Sequence, residues 1–300
     1  MSKIVLTGSS GLLGGAFQAI LSDIDLTHLN RDRLNTANEQ TLIESIRSSR
    51  PDVIINCAAA TNVEGAEQNP GDDAAANTRL PGVLAQACKD ADALLVHFSS
   101  TGCYGDWKTD PYVETDEPQP TTVHHRNKID GETAIARSGC RHVIVRTGWL
   151  YGGAPALAKN FVWKRLLEAR DKTDMTSDAS QRGNPTYVGS LARQVMKIID
   201  SGETGIFNVV AHGVASRFEY VSAIVEAAGL SCKVSPGPAF ARLAKVSPNE
   251  GAVNVRLQAL GIDIMPVWNE SLTMYVQGLL QSQAWQALGN EATERASSDR

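Results

Sequence analysis

Residues 3–15 read KIVLTGSSGLLGG. Lys3–Thr7 is a short β-prone run that stops at Gly8, and from Gly11 to Leu21 apolar residues recur at a spacing near 3.6. The reading is strand, glycine turn, helix. Thr7–Gly14 fits T-G-x-x-G-x-x-G and lies between the two elements. Glycines are needed there so that the chain turns sharply, comes close to a pyrophosphate with no Cβ in the way, and packs helix on strand. The free N–H groups of the helix then face the phosphates. A dinucleotide site is expected, the alternative being a plain tight turn.

Outward from this unit the alternation continues. Strands are expected at Asp25–Leu29, Asp52–Ile55, Ala93–Ser99 and His142–Thr147, with helices at about 38–48, 74–90 and 123–137. Several strands are apolar throughout, which points to a parallel sheet covered on both faces, the doubly wound α/β class known as the Rossmann fold. After Tyr151 the rhythm breaks into GGAPALAKN, a helix at Phe161–Ala169 and a polar stretch at Asp171–Gly183. A helix at Tyr187–Ile199 and a strand at Gly205–Val210 return to the sheet. Further helices at Phe218–Ala228 and Val267–Leu280 flank a Pro-rich loop, SPGPAF. Residues 1–152 and about 185–210 are therefore assigned to a dinucleotide-binding domain, and about 153–184 and 211–285 to a smaller substrate lobe. The polar tail 286–300 is read as disordered.

Composition narrows the function. With 42% apolar and 20% charged residues the chain is ordinary for a globular protein. Twenty-eight Lys and Arg against 33 Asp and Glu give a net charge of −5, so no basic excess favours nucleic acid or an anionic membrane. No apolar run approaches a membrane span. Five cysteines (57, 88, 103, 140, 232) form no C-x-x-C pair, which suits a reducing, cytoplasmic setting. They read as small apolar fillers, with Cys103 the one that exposure would make interesting. His97 reads as a satisfied core histidine, and Glu64, Glu67, Asp116 and Glu117 as solvated charges. No His/Cys/Asp/Glu cluster has metal-ligand spacing. Asn30-Arg31 stands at the end of the second strand, where an acidic residue would hold a ribose 2′-hydroxyl. A neutral residue followed by Arg favours NADP over NAD, unless Arg31 is only a solvated loop residue.

With Asn56-Cys57-Ala58-Ala59-Ala60, Asn77, Ser99-Ser100, Arg146-Thr147-Gly148-Trp149-Leu150-Tyr151-Gly152 and Asn184-Pro185-Thr186-Tyr187 added to the glycine turn, the chain resembles the extended short-chain dehydrogenase/reductases over about 1–275. It is most similar to the dTDP-4-dehydrorhamnose reductase type, a branch that includes the regulatory β subunit of methionine adenosyltransferase. The resemblance implies that Gly8, Ser10, Gly11, Leu12, Leu13 and Gly14 surround the pyrophosphate. It also implies that Asn30, Arg31, Ala58, Ala59, Ala60, Asn77 and Ser99 complete the cofactor site, with Lys128 on the nicotinamide ribose. A small-molecule substrate is implied, as is a homodimer or a partner enzyme.

Catalysis in such proteins, the resemblance implies, uses Ser/Thr, Tyr and Lys, with Tyr four residues before Lys on one helix face. Ser100 and Lys128 match, but the residue four before Lys128 is His124. Gly102 stands where the branch often has Tyr. Ser100 is either a site hydroxyl or a strand-end cap, and Lys128 either a ribose ligand or a surface lysine. His124 is either a catalytic imidazole or a replacement that silences the site. Lys128, sharing its face, is expected to hold that imidazole neutral. Two functions follow: an NADP-dependent reductase acting on a carbonyl or imine of nucleotide-sugar or secondary metabolism through an atypical Ser100-His124-Lys128 site, or a catalytically silent NADP-binding regulatory subunit.

Overall fold

The computed structural model describes residues 3–22, 25–30, 34 and 38–288. Five strands, β1 (Ile4–Thr7), β2 (Leu26–Leu29), β3 (Val53–Asn56), β4 (Leu94–Ser100) and β5 (His142–Thr147), join a sixth at Gly205–Asn208. All pair in parallel, and β1 lies between β2 and β3. β4 and β5 extend that side, with Gly205–Asn208 closing the edge. The chain thus leaves β1 toward one edge and returns on its other side. This reversal opens a crevice at the carboxyl ends of β1 and β3.

Alternate residues of each strand feed two cores. Leu6, Val96 and Val145 pack with Phe17 of helix α1 (Leu12–Ile20) and Leu191 and Val195 of the helix Val188–Ser201. Val5, Leu95 and Ile144 pack with Ile46 of the helix Glu39–Ser49 and Leu84 of the helix Leu80–Ala91. Both faces being buried accounts for the continuous apolar strands.

The lobe gathers the helices Phe161–Asp171, Arg217–Ala227 and Trp268–Leu280 around Tyr151, Tyr220 and Leu272. Three sequence expectations need correction. The polar stretch and the Pro-rich loop contribute the strands Asp174–Asp178 and Lys233–Gly237, paired in parallel; an isolated two-stranded pair has free edges that tolerate Pro236. Leu257 and Met265, expected in the lobe, lie in the core of the main sheet, because the helix Val255–Ala259 packs beside Gly205–Asn208. Residues 283–288 are helical, and Trp285 meets Trp163 edge-on at 5.9 Å, so the expected disordered tail does not begin at 286. The rest of that tail lies outside the described residues. Among the described residues no helix is long and apolar enough to cross a membrane.

Candidate active site

The glycine turn forms one end of the site. Gly8 has φ +64°, a left-handed conformation that glycine adopts without strain. A Cβ on it would fall 2.7 Å from Ala58 N, and one on Gly14 would fall 2.2 Å from Gly8 O. The turn closes through Gly11 N–H donating to Gly8 O at 3.0 Å. Helix α1 starts there with no side-chain cap and no acidic residue in its first turn, so its free N–H groups face outward at the positive end of its dipole. A cleft of about 1070 Å³ opens over this terminus, lined by Gly8, Ser10, Gly11, Asn30, Ala58, Ala59 and Ala60. This is a cradle of the kind a dinucleotide pyrophosphate needs, and the fit is good.

Leu13, expected at the cofactor, turns inward to the core and does not line the cleft. Asn77 holds the far wall through Nδ2 donating to Ala60 O at 3.0 Å. It sits in a π-helical turn, Ala75–Arg79, of the type that often marks functional sites. Arg31 lies outside the described residues. Lys159, which sequence reasoning passed over, comes from the lobe to line the same cleft, its ammonium donating to Thr61 Oγ1.

At the other end stands the helix Val123–Ser138, begun by Thr122, whose Oγ1 accepts from His125 N–H at 3.2 Å. Glu67, expected to be solvated, accepts from Val123 N–H at 2.8 Å. Glu64 is likewise engaged, accepting from Leu243 and Ala244 N–H at 2.9 and 3.1 Å, and Asp116 pairs with Lys108 at 2.7 Å. Lys128 Nζ donates to Phe98 O on β4 at 2.9 Å, and burial lowers its ammonium to about 8. It is not a surface lysine.

The imidazole that meets Ser100 is that of His125. Its Nε2 lies 3.3 Å from Ser100 Oγ and its Nδ1 lies 3.1 Å from Thr122 Oγ1. Gly102 N–H also donates to Ser100 Oγ, at 3.1 Å. Burial, then the neighbouring His124 and Lys128, push the His125 ring down to about 3, so it is neutral. His124 faces the other way, its Nδ1 2.9 Å from Asp73 Oδ2. The charge nearest that ring is therefore a carboxylate, and the expectation built on Lys128 alone left it out. Asp73 Oδ1 accepts from Asn127 Nδ2 at 2.9 Å. Burial alone would raise Asp73, but the hydrogen bonds from His124, Asn127 and Asn77 outweigh it and hold the carboxyl below its usual range. Neither Asp73 nor His125 was anticipated; the second histidine was legible in HHR, but only the position four before Lys128 was weighed.

Comparison with known proteins gives the family. The family model described as the RmlD substrate binding domain matches residues 2–281. The chain belongs to that family. Within it, the dTDP-4-dehydrorhamnose reductase of Mycolicibacterium smegmatis is 35% identical over 231 residues, covering 76% of this chain and 69% of the relative. That of Sinorhizobium fredii is 30% identical, covering 93% and 98%. The dTDP-4-dehydrorhamnose reductase of Bacillus anthracis, solved in complex with NADP, superposes with a TM-score of 0.87 at 27% identity, covering 91% and 98%. The RmlD-family chain is thus a member of the extended short-chain dehydrogenase/reductases.

In this RmlD-family member no tyrosine stands on the site helix. Tyr104 donates to Asn208 Oδ1 at 2.7 Å and stacks on Tyr112 at 4.9 Å, while Tyr112 donates to Gly105 O. Both phenols are committed to structure. Cys103 is buried rather than exposed, and burial pushes its thiol to about 12. His97 accepts from Asn56 Nδ2 at 3.0 Å through Nδ1, but its buried Nε2 has no partner, so it is only half satisfied. Facing Gly102 from the lobe is Glu250, raised by burial, whose Oε2 accepts from Trp149 Nε1 at 2.7 Å. Trp149 has φ +46°, an uncommon conformation for a bulky residue, and its ring lies 3.5 Å from the Arg217 guanidinium.

Proposed function

We propose that this protein is an NADP-dependent reductase acting on a carbonyl or imine of a nucleotide-linked sugar. The observation that carries the reading is the glycine cradle at the end of β1 and Ser100 at the end of β4, with Asn77 bridging Ala60 O in the cradle wall and His124 on the helix that also carries Lys128. The cradle residues would hold the pyrophosphate, Asn77 and Ser99 the inner wall, and Lys128 the nicotinamide ribose. When bound, the nicotinamide supplies hydride. Ser100 Oγ, seated by Gly102 N–H and His125 Nε2, offers a hydrogen bond to the substrate oxygen. The curated relatives reduce, by name, dTDP-4-dehydrorhamnose. Since no phenol stands at the site, turnover of that sugar is expected to be slow, and a more readily reduced carbonyl or imine to be preferred.

The second reading, a silent NADP-binding subunit, is favoured by the helix Val123–Ser138 carrying no tyrosine. The test pairs calorimetry of NADPH binding with NADPH oxidation over a panel of nucleotide-linked keto sugars. Binding with turnover supports the reductase. Binding with none supports the silent subunit, and absence of binding removes both.

A further inference from the structure

The protein lacks the phenol that would protonate a reduced carbonyl, yet the site contains an imidazole with a fixed carboxylate behind it. Asp73 and His124 are 3% and 6% exposed. The carboxylate is pinned on both oxygens, Oδ1 by Asn127 and Oδ2 by His124, each at 2.9 Å. An ionised carboxylate only accepts, so Nδ1 carries a hydrogen, and Nε2 is the nitrogen whose proton can come and go. Among the described residues Nε2 has no hydrogen-bond partner. The ring stands beside the cofactor cleft, since Asn77 Nδ2, 3.5 Å from Nδ1, donates to Ala60 O in the cleft wall. We propose that Asp73 and His124 form an acid–base pair, in which Asp73 positions the ring through Nδ1 and Nε2 delivers the proton taken up by the substrate oxygen.

The proposal rests on the reductase reading and names its proton source. The carbonyl carbon accepts hydride, two electrons and a hydrogen nucleus, from the reduced nicotinamide. The π pair of the C=O bond moves to oxygen, and that oxygen takes the Nε2 proton. The neutral ring left behind keeps Nδ1–H on Asp73 and is recharged from water.

The charged and titratable groups around the ring agree with this role. Asp73 and Asn77 face it from the segment 70–79, and His125 lies edge-on at 5.2 Å. Lys128 is one turn along the helix, and Glu250 stands across from it in the lobe. The carboxylate touches the ring at 2.9 Å, whereas the ammonium is engaged by Phe98 O. His125 is the weaker candidate, because Ser100 and Thr122 occupy both its nitrogens.

Two measurements on the full chain test the pair. In ¹⁵N-resolved NMR of histidine-labelled protein with NADPH bound, neutral His124 is expected as the Nδ1–H tautomer, and Asp73→Asn is expected to abolish that tautomer preference. In turnover, Asp73→Asn and His124→Phe are expected to lose about 100-fold or more in kcat, the range of a missing general acid. NADPH affinity and the KM for the sugar should stay near wild type, and the pH limb assigned to His124 should be absent in His124→Phe. A merely structural Asp73 would lower Tm and weaken cofactor binding without moving that limb. Wild-type turnover with His124→Phe equally fast overturns the proposal and leaves the reductase reading standing. An Nε2–H tautomer also overturns the pair alone. NADPH binding with no wild-type turnover overturns both.

Discussion

The ring of His125 occupies the space that a side chain at Gly102 would need. A Cβ on Gly102 would lie 2.3 Å from His125 Cε1, 2.4 Å from Nε2 and 2.7 Å from Glu250 Oε1. The two positions therefore carry one constraint between them, and the hydrogen bond from His125 to Ser100 depends on residue 102 having no side chain.

Gly102→Ala is accordingly expected to displace the ring, break its bond to Ser100 and cost about 1–3 kcal/mol of stability, the range for overpacking. His125→Ala in the same chain should recover most of that loss. A double-mutant cycle by chemical denaturation measures the coupling; additive effects would contradict it.

At the glycine turn, two substitutions should separate binding from folding. A Cβ on Gly14 meets backbone at 2.2 Å, whereas one on Gly11 meets only Gly8 O at 3.2 Å. Gly14→Ala is expected to lower Tm by several degrees. Gly11→Leu should leave Tm nearly unchanged while weakening NADPH binding at least tenfold, because its side chain would enter the pyrophosphate space.

Arg31 is expected to bear on cofactor choice. With no acidic residue at Asn30-Arg31, NADPH is expected to bind more tightly than NADH, and Arg31→Glu to reverse the order. Calorimetry with both cofactors decides it; equal affinities in the wild type would remove the role given to Arg31.

Acid should act through His125. Its ring, held near 3, stays neutral in the folded protein while the unfolded chain takes up a proton near 6.5. Between those values the unfolded state binds more protons, so stability falls as pH drops, by about 1.4 kcal/mol per pH unit from this group. His125→Gln should flatten the denaturation midpoint between pH 6.5 and 4, and an unchanged slope would rule this source out.

Behind the site, Arg146 and Glu132 form a buried two-bond pair at 3.1 and 2.6 Å. Glu132→Gln leaves the guanidinium without a counter-charge and is expected to cost about 3–5 kcal/mol. Replacing both residues with Met should cost much less. Urea denaturation of the three variants checks it.

The fold was readable because its signals are local. Thr7–Gly14 and the strands Val53–Asn56 and His142–Thr147 declare themselves by glycine spacing and unbroken apolar runs. Ser100, Lys128 and Asn77 were singled out by the family resemblance rather than by a local rule. Asp73 was not, because it reaches His124 across fifty residues of sequence and looks, locally, like any acid in the first turn of a helix. Glu64 and Glu67 were misread for the same reason. Their partners are backbone N–H groups of distant segments, and no spacing rule reports these.

The last strand of the main sheet has a consequence for synthesis. Gly205–Asn208 covers the outer side of β5, but the ribosome makes it only after the first part of the lobe, residues 153–184, has been made. Until residue 208 has emerged, the nascent chain presents an unpaired ladder of N–H and C=O groups, a template for pairing with another copy. A chain cut between 152 and 205 would retain the whole glycine cradle yet keep that edge open. It is expected to self-associate rather than serve as a miniature cofactor-binding module.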